Sequence, residues 1–522
     1  MLEGAKVLSS QYDVQRLVDR EATSSYYTSP DGLEVIRELA RRHAARAEVV
    51  ADPFMGSGLA LTAISDLVRP RRVVGVELNE APCRLAASAL REAYPGSEVE
   101  VSCGDAFELG WRYGNQVDLV VTNPPFVRWQ RLPAAYRRGL LEAFEARGYG
   151  SYIGRRDPGL HILGLMLIDF MLRDGGLLIS VLPASTFYTD QGAGVKRLLR
   201  ERYEVLAVVE NGRSPSFSDG SGFRELIIAA RKSGRSGGAT ELLRLEGGLA
   251  RVGEADLRSL PGLVDRNWLS LFRPGALELA RRLEEQVRAG RMRYLSRGEV
   301  VRGIEMYGPD FFFIPNRHWR VVREAEGEVV IRSPEEGDEL AIPRRYLVPC
   351  LRRSGLYLDK IKVESPGFYV LAIDKIDNQD VQRYVEFGKK LGVPAMKVGE
   401  RWYSFAYRQI VTKRPFGHVF IHDKFDLTRH RVIANYSPRP LCASKDFYVV
   451  KVDSPLLAAW FNSSLFRSLV EAVGREISHT WTRLVEEDYL RLPVPSARGD
   501  ERALEDPDLA VSKVLGLDLD RT

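Results

Sequence analysis

The apolar positions of the chain follow two regimes. Between residues 48 and 232, short runs rich in Val, Ile and Leu recur, separated by stretches whose apolar residues lie three and four apart. Strands are predicted over 48–52 (EVVAD), 71–78 (RRVVGVEL), 99–103 (VEVSC), 117–122 (VDLVVT), 176–183 (GLLISVLP), 203–210 (YEVLAVVE) and 225–232 (ELIIAARK), with helices between most of them, for example over 80–94 and 162–173. Nearly continuous apolar strands alternating with helices indicate a mostly parallel sheet covered on both faces. A ligand of such a doubly wound α/β domain sits beyond the carboxyl ends of its strands.

The second regime begins after SGRSGG (233–238), which reads as a linker. A helical stretch, ALELARRLEEQVRAG (276–290), follows, and the pattern then breaks into short strands with many aromatic and basic residues. Helical periodicity returns over 456–474 and ends in the turn-rich RLPVPSARGD (491–500). The expected organisation is a doubly wound α/β domain over 1–240 and an α+β domain over 241–522, joined by a helical connector at about 265–292.

A length of 522 residues suggests two to four domains. No apolar run reaches the roughly 18 residues of a membrane-spanning helix, and the opening MLEGAKVLSSQYDVQRLVDRE does not read as a signal peptide. Cys83, Cys103, Cys350 and Cys442 lie far apart with no CxxC, which argues against a zinc site or a disulfide framework. A soluble cytoplasmic protein without membrane partners is expected. The seven histidines show no metal-ligand spacing, His418 and His422 included, so no metal is expected. The net charge is only +5, yet residues 344–451 hold 21 Lys+Arg against 10 Asp+Glu, so the remainder is net acidic. Such asymmetry suggests a region that faces a polyanion, or simply an Arg-rich solvated surface.

Four segments carry candidate chemistry, each at a predicted strand end. Asp52-Pro53-Phe54-Met55-Gly56-Ser57-Gly58 follows the first strand, and its glycines allow a tight turn and close backbone approach to a ligand. Glu77 ends the second strand, where a carboxylate can accept from both hydroxyls of a ribose. Asp105, after the third strand, can accept from an adenine amino group, with Phe107 flanking the ring. Asn123-Pro124-Pro125-Phe126 ends the fourth strand. There the Asn123 side-chain oxygen and the Pro124 carbonyl can both accept from one planar NH2 group. Such a nitrogen is a weak nucleophile because its lone pair is delocalised, and two acceptors favour the pyramidal form that attacks. Phe126 offers a face for stacking.

Asp-Pro-Phe-Met-Gly-Ser-Gly followed by Asn-Pro-Pro-Phe resembles the S-adenosylmethionine-dependent DNA adenine-N6 methyltransferases, and the order of parts resembles their gamma, TaqI-like class. Tyr27-Thr28-Ser29-Pro30 matches the cofactor segment that precedes the glycine motif in that class. Phe461-Asn462-Ser463-Ser464-Leu465-Phe466 and Leu492-Pro493-Val494-Pro495 resemble the closing segment of its specificity domain. The resemblance implies a Rossmann-like methyltransferase domain over 1–240 and a DNA target-recognition domain over 241–522. It implies that Thr28, Asp52, Phe54, Gly56 and Gly58 hold the methionine end of S-adenosyl-L-methionine, Glu77 the ribose, and Asp105 with Phe107 the adenine. Asn123, Pro124 and Phe126 would hold a target adenine flipped out of duplex DNA, and Phe217 would pack on its other face. Leu59 departs from the pattern, in which Phe is common.

The activity so implied is site-specific DNA adenine-N6 methylation, with duplex DNA bound by the basic second half and a separately encoded restriction endonuclease as a candidate partner. The alternatives are an RNA amino-group methyltransferase, a protein-glutamine methyltransferase, and a non-catalytic DNA-specificity subunit. About 27 residues precede the first methyltransferase element, fewer than the roughly 100 a nuclease domain needs, so a fused nuclease is not expected.

Overall fold

A computed structural model describes residues 27–516 apart from 45, 128, 155–157, 234–237, 306, 336, 428–430, 474 and 477–480. The opening 21 residues read for a leader, and most of the SGRSGG segment, lie outside the described residues. The chain forms two compact units, residues 1–277 and 278–522.

The first unit is built on a nine-stranded sheet: β1 (Val49–Asp52), β2 (Arg72–Glu77), β3 (Glu98–Cys103), β4 (Val117–Thr122), β5 (Leu172–Pro183), β6 (Tyr203–Asn211), β7 (Glu225–Lys232), β8 (Thr240–Leu245) and β9 (Leu249–Ala255). Their order is β3-β2-β1-β4-β5-β7-β6-β8-β9. The first five are parallel neighbours, and β7 runs antiparallel to both β5 and β6. All seven predicted strands are present. Apart from the edge strand β3, which alternates and is half-buried, their apolar runs are covered on both faces: Val50, Val73, Leu119 and Ile179 belong to one buried cluster, and Ala51, Val74, Val120 and Leu178 to another. Helices α1 (Pro30–His43), α2 (Leu59–Ala63), α3 (Glu80–Ala93), α4 (Ala106–Leu109), α5 (Ala134–Glu145), α6 (Leu160–Met171) and α7 (Ala193–Arg202) lie between strands or ahead of β1. Strand order reverses between β1 and β4, so their carboxyl ends flank the crevice where a doubly wound sheet binds ligands.

Two expectations are corrected here. The first unit continues past residue 240: β8 pairs with β6 in parallel, and β9 returns antiparallel on β8. Backbone pairing thus carries the sheet across the Gly-Ser-rich stretch, and the division falls at Leu277 and Glu278. Cys83 and Cys103 also form a disulfide, with Cα atoms 5.7 Å apart. Twenty residues separate them in sequence, but α3 connects β2 to the adjacent strand β3, so the first turn of the helix returns to the strand's end.

The second unit is α+β. Its largest sheet has seven strands, in the order Val300–Arg302, Phe447–Val450, Phe416–His422, Ala434–Ala443, Leu347–Leu351, Tyr369–Leu371 and Phe313–Ile314. A three-stranded sheet (Arg320–Glu324, Glu328–Arg332, Glu339–Pro343) accompanies it. The predicted helix over 456–474 is two, Pro455–Asn462 and Ser464–Val473. Asn462 makes the joint: its Oδ1 accepts from Ile433 and Ala434 N–H, and its Nδ2 donates to Ala434 and Ala458 carbonyls at 2.7 and 2.8 Å. Pro493–Pro495 pairs with Met292–Tyr294, so the Leu-Pro-Val-Pro segment closes this unit's own fold. Among the described residues no helix is long and apolar enough to cross a membrane.

Candidate active site

A cavity of about 580 Å³ opens at the carboxyl ends of β1, β2, β3 and β4. Of the residues singled out in the sequence, Thr28, Asp52, Phe54, Gly56, Glu77, Asp105, Phe107 and Asn123 line it.

The loop after β1 is shaped by its own polar groups. Asp52 is buried, and its Oδ1 accepts from Phe54 N–H at 2.9 Å and from the Thr122 hydroxyl at 2.6 Å. This last bond joins the ends of β1 and β4 across the switch point. Burial, opposed by these two hydrogen bonds and helped by Glu77, pushes the Asp52 carboxyl up to about 7. Glu77 Oε2 accepts from Gly56 N–H at 3.0 Å, while Oε1 accepts from the backbone and side-chain amides of Asn79 at 2.8 and 3.0 Å. Burial raises the Glu77 carboxyl as well, against those bonds. Gly56 has a φ of +55°, and a Cβ there would lie 2.8 Å from the Tyr27 ring, so only glycine fits the turn. Gly58, also at positive φ, faces elsewhere: a Cβ there would meet Ala86 on α3. Its part is to let the helix pack closely.

Asp105 caps α4 through Phe107 N–H at 2.8 Å, and its Oδ2 accepts from the Tyr136 hydroxyl at 2.6 Å. The Phe54 and Phe107 rings lie 5.6 Å apart, giving this side of the cavity an apolar floor. The rim carries Leu78, 68% exposed despite its apolar side chain. Acceptors beside flat apolar surfaces suit a ligand with a hydroxylated and an aromatic part.

Asn123 is half-buried at the end of β4, and its Nδ2 donates to Ser218 Oγ at 2.9 Å. Oδ1 is therefore the acceptor end of the amide. Thr28 and Ser218 come together because residues 27–29 pair with residues 217–219: Ser29 N–H donates to the Phe217 carbonyl at 2.8 Å, and Asp219 N–H to the Tyr27 carbonyl at 2.9 Å. Pro124 is buried beside Gly164 of α6 rather than in the cavity lining. Phe126 meets the His161 ring edge to face, with centroids 6.0 Å apart. Burial drives His161 down to about 4, so it is neutral at physiological pH.

Phe217 is the site residue that the structure removes. It is fully buried, in the same apolar cluster as Val35, Ile36, Val209 and Ile227. The pairing of its backbone with Ser29 turns the ring into the core. Tyr136 and Leu78 in the lining, and Ser218 against Asn123, join the site without having been singled out. Leu78 had a usable signal, an apolar residue directly after the strand-ending Glu77. Tyr136 had none, because only tertiary contact brings α5 to Asp105. Among the described residues no group of three or more His, Cys, Asp or Glu converges to hold a metal. His418 and His422 instead bond Ser437 and Asn435 within the second unit's sheet.

Residues 12–135 match the model of the N-6 DNA Methylase family. The type II methyltransferase M.BanIII of Aneurinibacillus aneurinilyticus is 23% identical over 248 residues, covering 42% of this chain and 40% of that protein. A 4-amino-L-phenylalanine/4-methylamino-L-phenylalanine methyltransferase of Streptomyces pristinaespiralis is 32% identical over 112 residues, 20% of this chain and 37% of that one. The match thus spans less than half the length of either curated relative. The type IIL restriction-modification enzyme MmeI, solved in complex with DNA, shares the fold with a TM-score of 0.52 and 12% identity, over 99% of this chain and 75% of that one.

Proposed function

We propose that the chain is an S-adenosyl-L-methionine-dependent methyltransferase that modifies the N6 amino group of adenine in duplex DNA. The observation that carries this reading is the meeting of Asn123 with Glu77 and Asp105 around one cavity, inside a segment matching the N-6 DNA Methylase family. S-adenosyl-L-methionine fits the residues present, and supplies a methyl group already activated on a sulfonium. Glu77 accepts from its ribose hydroxyls, and Asp105, held by Tyr136, accepts from its adenine amino group. Asp52, which lines the cavity, would balance its positive charge when ionised. Catalysis is then mainly alignment and electrostatics. Asn123 Oδ1 would accept from the target amino group and hold that group at the cavity. A base reaches this site only by leaving the duplex, at a cost of a few kcal/mol.

The NH2 named in the Streptomyces relative is also borne on an aromatic ring. That likeness supports an aromatic amine as the nucleophile and leaves the choice of substrate to the rest of the chain. The second unit, with its basic stretch over 344–451, is the proposed duplex-binding part. M.BanIII is named a type II methyltransferase, which supports a modification role, and a separately encoded nuclease is the proposed partner. The test is transfer from radiolabelled S-adenosyl-L-methionine to mixed-sequence duplex DNA, RNA and free aromatic amines, with digestion to identify the labelled product. N6-methyladenosine label in deoxynucleoside form supports the proposal. Label only in RNA or in free amines overturns it, and cofactor and DNA binding without transfer marks a specificity subunit.

A further inference from the structure

Asn123 belongs to a hydrogen-bonded chain that ends on a buried carboxylate outside the cavity lining. Glu225, at the start of β7, is 1% exposed. Its Oε2 accepts from Ser218 Oγ at 2.9 Å and from Phe217 N–H at 2.8 Å, and Ser216 Oγ lies 3.1 Å away. Ser218 Oγ is also the atom that receives the Asn123 amide at 2.9 Å. The loop between β6 and β7, Ser214-Pro215-Ser216-Phe217-Ser218-Asp219-Gly220-Ser221, is thus gathered around one carboxylate, with Ser216 and Ser221 hydroxyls 2.7 Å apart.

The chemistry of these groups sets a direction. An ionised carboxylate accepts only, and a hydroxyl has one proton to give. Once Ser218 donates to Glu225, its oxygen can only accept toward Asn123. The Asn123 amide must therefore present NH2 to Ser218 and keep its carbonyl oxygen for the other side. An amide turned the other way would place two acceptors or two donors in contact at buried positions, which costs more than a missing hydrogen bond gains. Burial raises the Glu225 carboxyl against the hydrogen bonds it accepts, the one from Ser218 first among them, so the residue is held here at an energetic cost.

We propose that Ser218 and Glu225 are positioning residues that fix which end of the Asn123 amide faces the target amino group. This rests on the reading of Asn123 as an acceptor for that group. Ser218→Ala removes the nearer of the two hydroxyls that receive the Asn123 amide, leaving Thr28 Oγ1 at 3.5 Å. Glu225→Met removes the acceptor that orients Ser218. Glu225→Gln keeps a carbonyl oxygen available to both Phe217 N–H and Ser218, and serves as the conservative rescue.

The test pairs kinetics with a readout independent of activity. Ser218→Ala and Glu225→Met are expected to lower single-turnover methyl transfer on the order of tenfold each. The double variant should be no slower than either single, because both break one chain. Glu225→Gln should remain within about threefold of the parent. The dissociation constant for S-adenosyl-L-methionine should stay within about twofold throughout. Additive losses, or an equal weakening of cofactor binding, would show a merely structural role and overturn the proposal. Neutron diffraction from deuterated crystals reads the amide directly: deuterium on the Asn123 atom facing Ser218 in the parent, and loss of that single orientation in Ser218→Ala. The opposite orientation in the parent overturns the relay. If the parent transfers no methyl to any acceptor, the function fails, and the neutron result still decides the relay.

Discussion

The two units solve the same problem, covering a sheet, by different means, and they differ in how openly the chain declares it. In the first unit β1 to β5 are parallel; β1, β2 and β4 are nearly continuous buried apolar runs, the edge strand β3 alternates and is only half-buried, and each of β1 to β4 runs out into a candidate site residue. Asp52, Glu77 and Asn123 stand at or directly after strand ends, as does Asp105 one glycine later. The second unit assembles its largest sheet from strands between residues 300 and 450, several only two to five residues long. There the basic-aromatic run Arg401–Arg408 splits, Trp402 and Phe405 entering the core while Tyr407 stays exposed. A parallel sheet writes its site into the sequence as a series, whereas a mixed sheet of distant short strands does not.

The two units should differ first in stability. The Cys83–Cys103 disulfide closes a 20-residue loop within the first unit, and chain entropy assigns such a loop about 3 kcal/mol. Replacing both cysteines by serine should lower the unfolding free energy of the first unit by that amount. The second unit, whose Cys350 and Cys442 are free buried thiols, should unfold unchanged. Equal destabilisation of both transitions would show that the units do not unfold separately.

Next in size is Asp105→Ala. Loss of a charged acceptor should weaken S-adenosyl-L-methionine by about 2 kcal/mol, roughly thirtyfold, with DNA affinity unchanged. Calorimetric titration checks it. Tyr136→Phe should give a smaller loss in the same direction.

The Asp52 carboxyl supplies a pH prediction. Its ordinary value is near 4 and burial raises it to about 7. Between those values the unfolded chain has already released a proton that the folded chain keeps, so Asp52 makes folding less favourable as pH rises through this window. A cationic cofactor favours the ionised form. Its affinity should therefore fall as pH drops below about 7, by up to roughly tenfold per unit, with proton release on binding. An affinity flat from pH 8 to 5.5 would separate Asp52 from the cofactor's charge.

The smallest expected effect lies in the second unit. Arg408→Ala should weaken duplex binding only a few-fold and reduce the salt slope of log Kd by about one, leaving cofactor affinity untouched. An unchanged slope would place that arginine away from phosphate.

Sequence patterns revealed the strands and most of the cavity, and the misses have physical causes. Thr240–Leu245 is a charged, alternating segment after a glycine-rich stretch, and backbone pairing with β6 makes it a strand. Phe217 sits among serines, a glycine and an aspartate, which reads as a solvated loop. The same serines instead close on Glu225, and the ring turns inward. Cys83 and Cys103 are distant along the chain and adjacent only because a helix returns the chain to the neighbouring strand. Each miss depended on a long-range contact, while each success depended on a strand end.

In the proposed function one cavity divides into a cofactor half, with Glu77 and Asp105, and an acceptor half, with Asn123. The most direct measurement is Asn123→Ala, followed by cofactor titration and single-turnover methyl transfer to duplex DNA on the same preparation. The account predicts a loss of transfer on the order of a thousandfold or more, with S-adenosyl-L-methionine bound as tightly as in the parent to within about threefold. Retained transfer, or cofactor binding lost in step with it, would contradict that division.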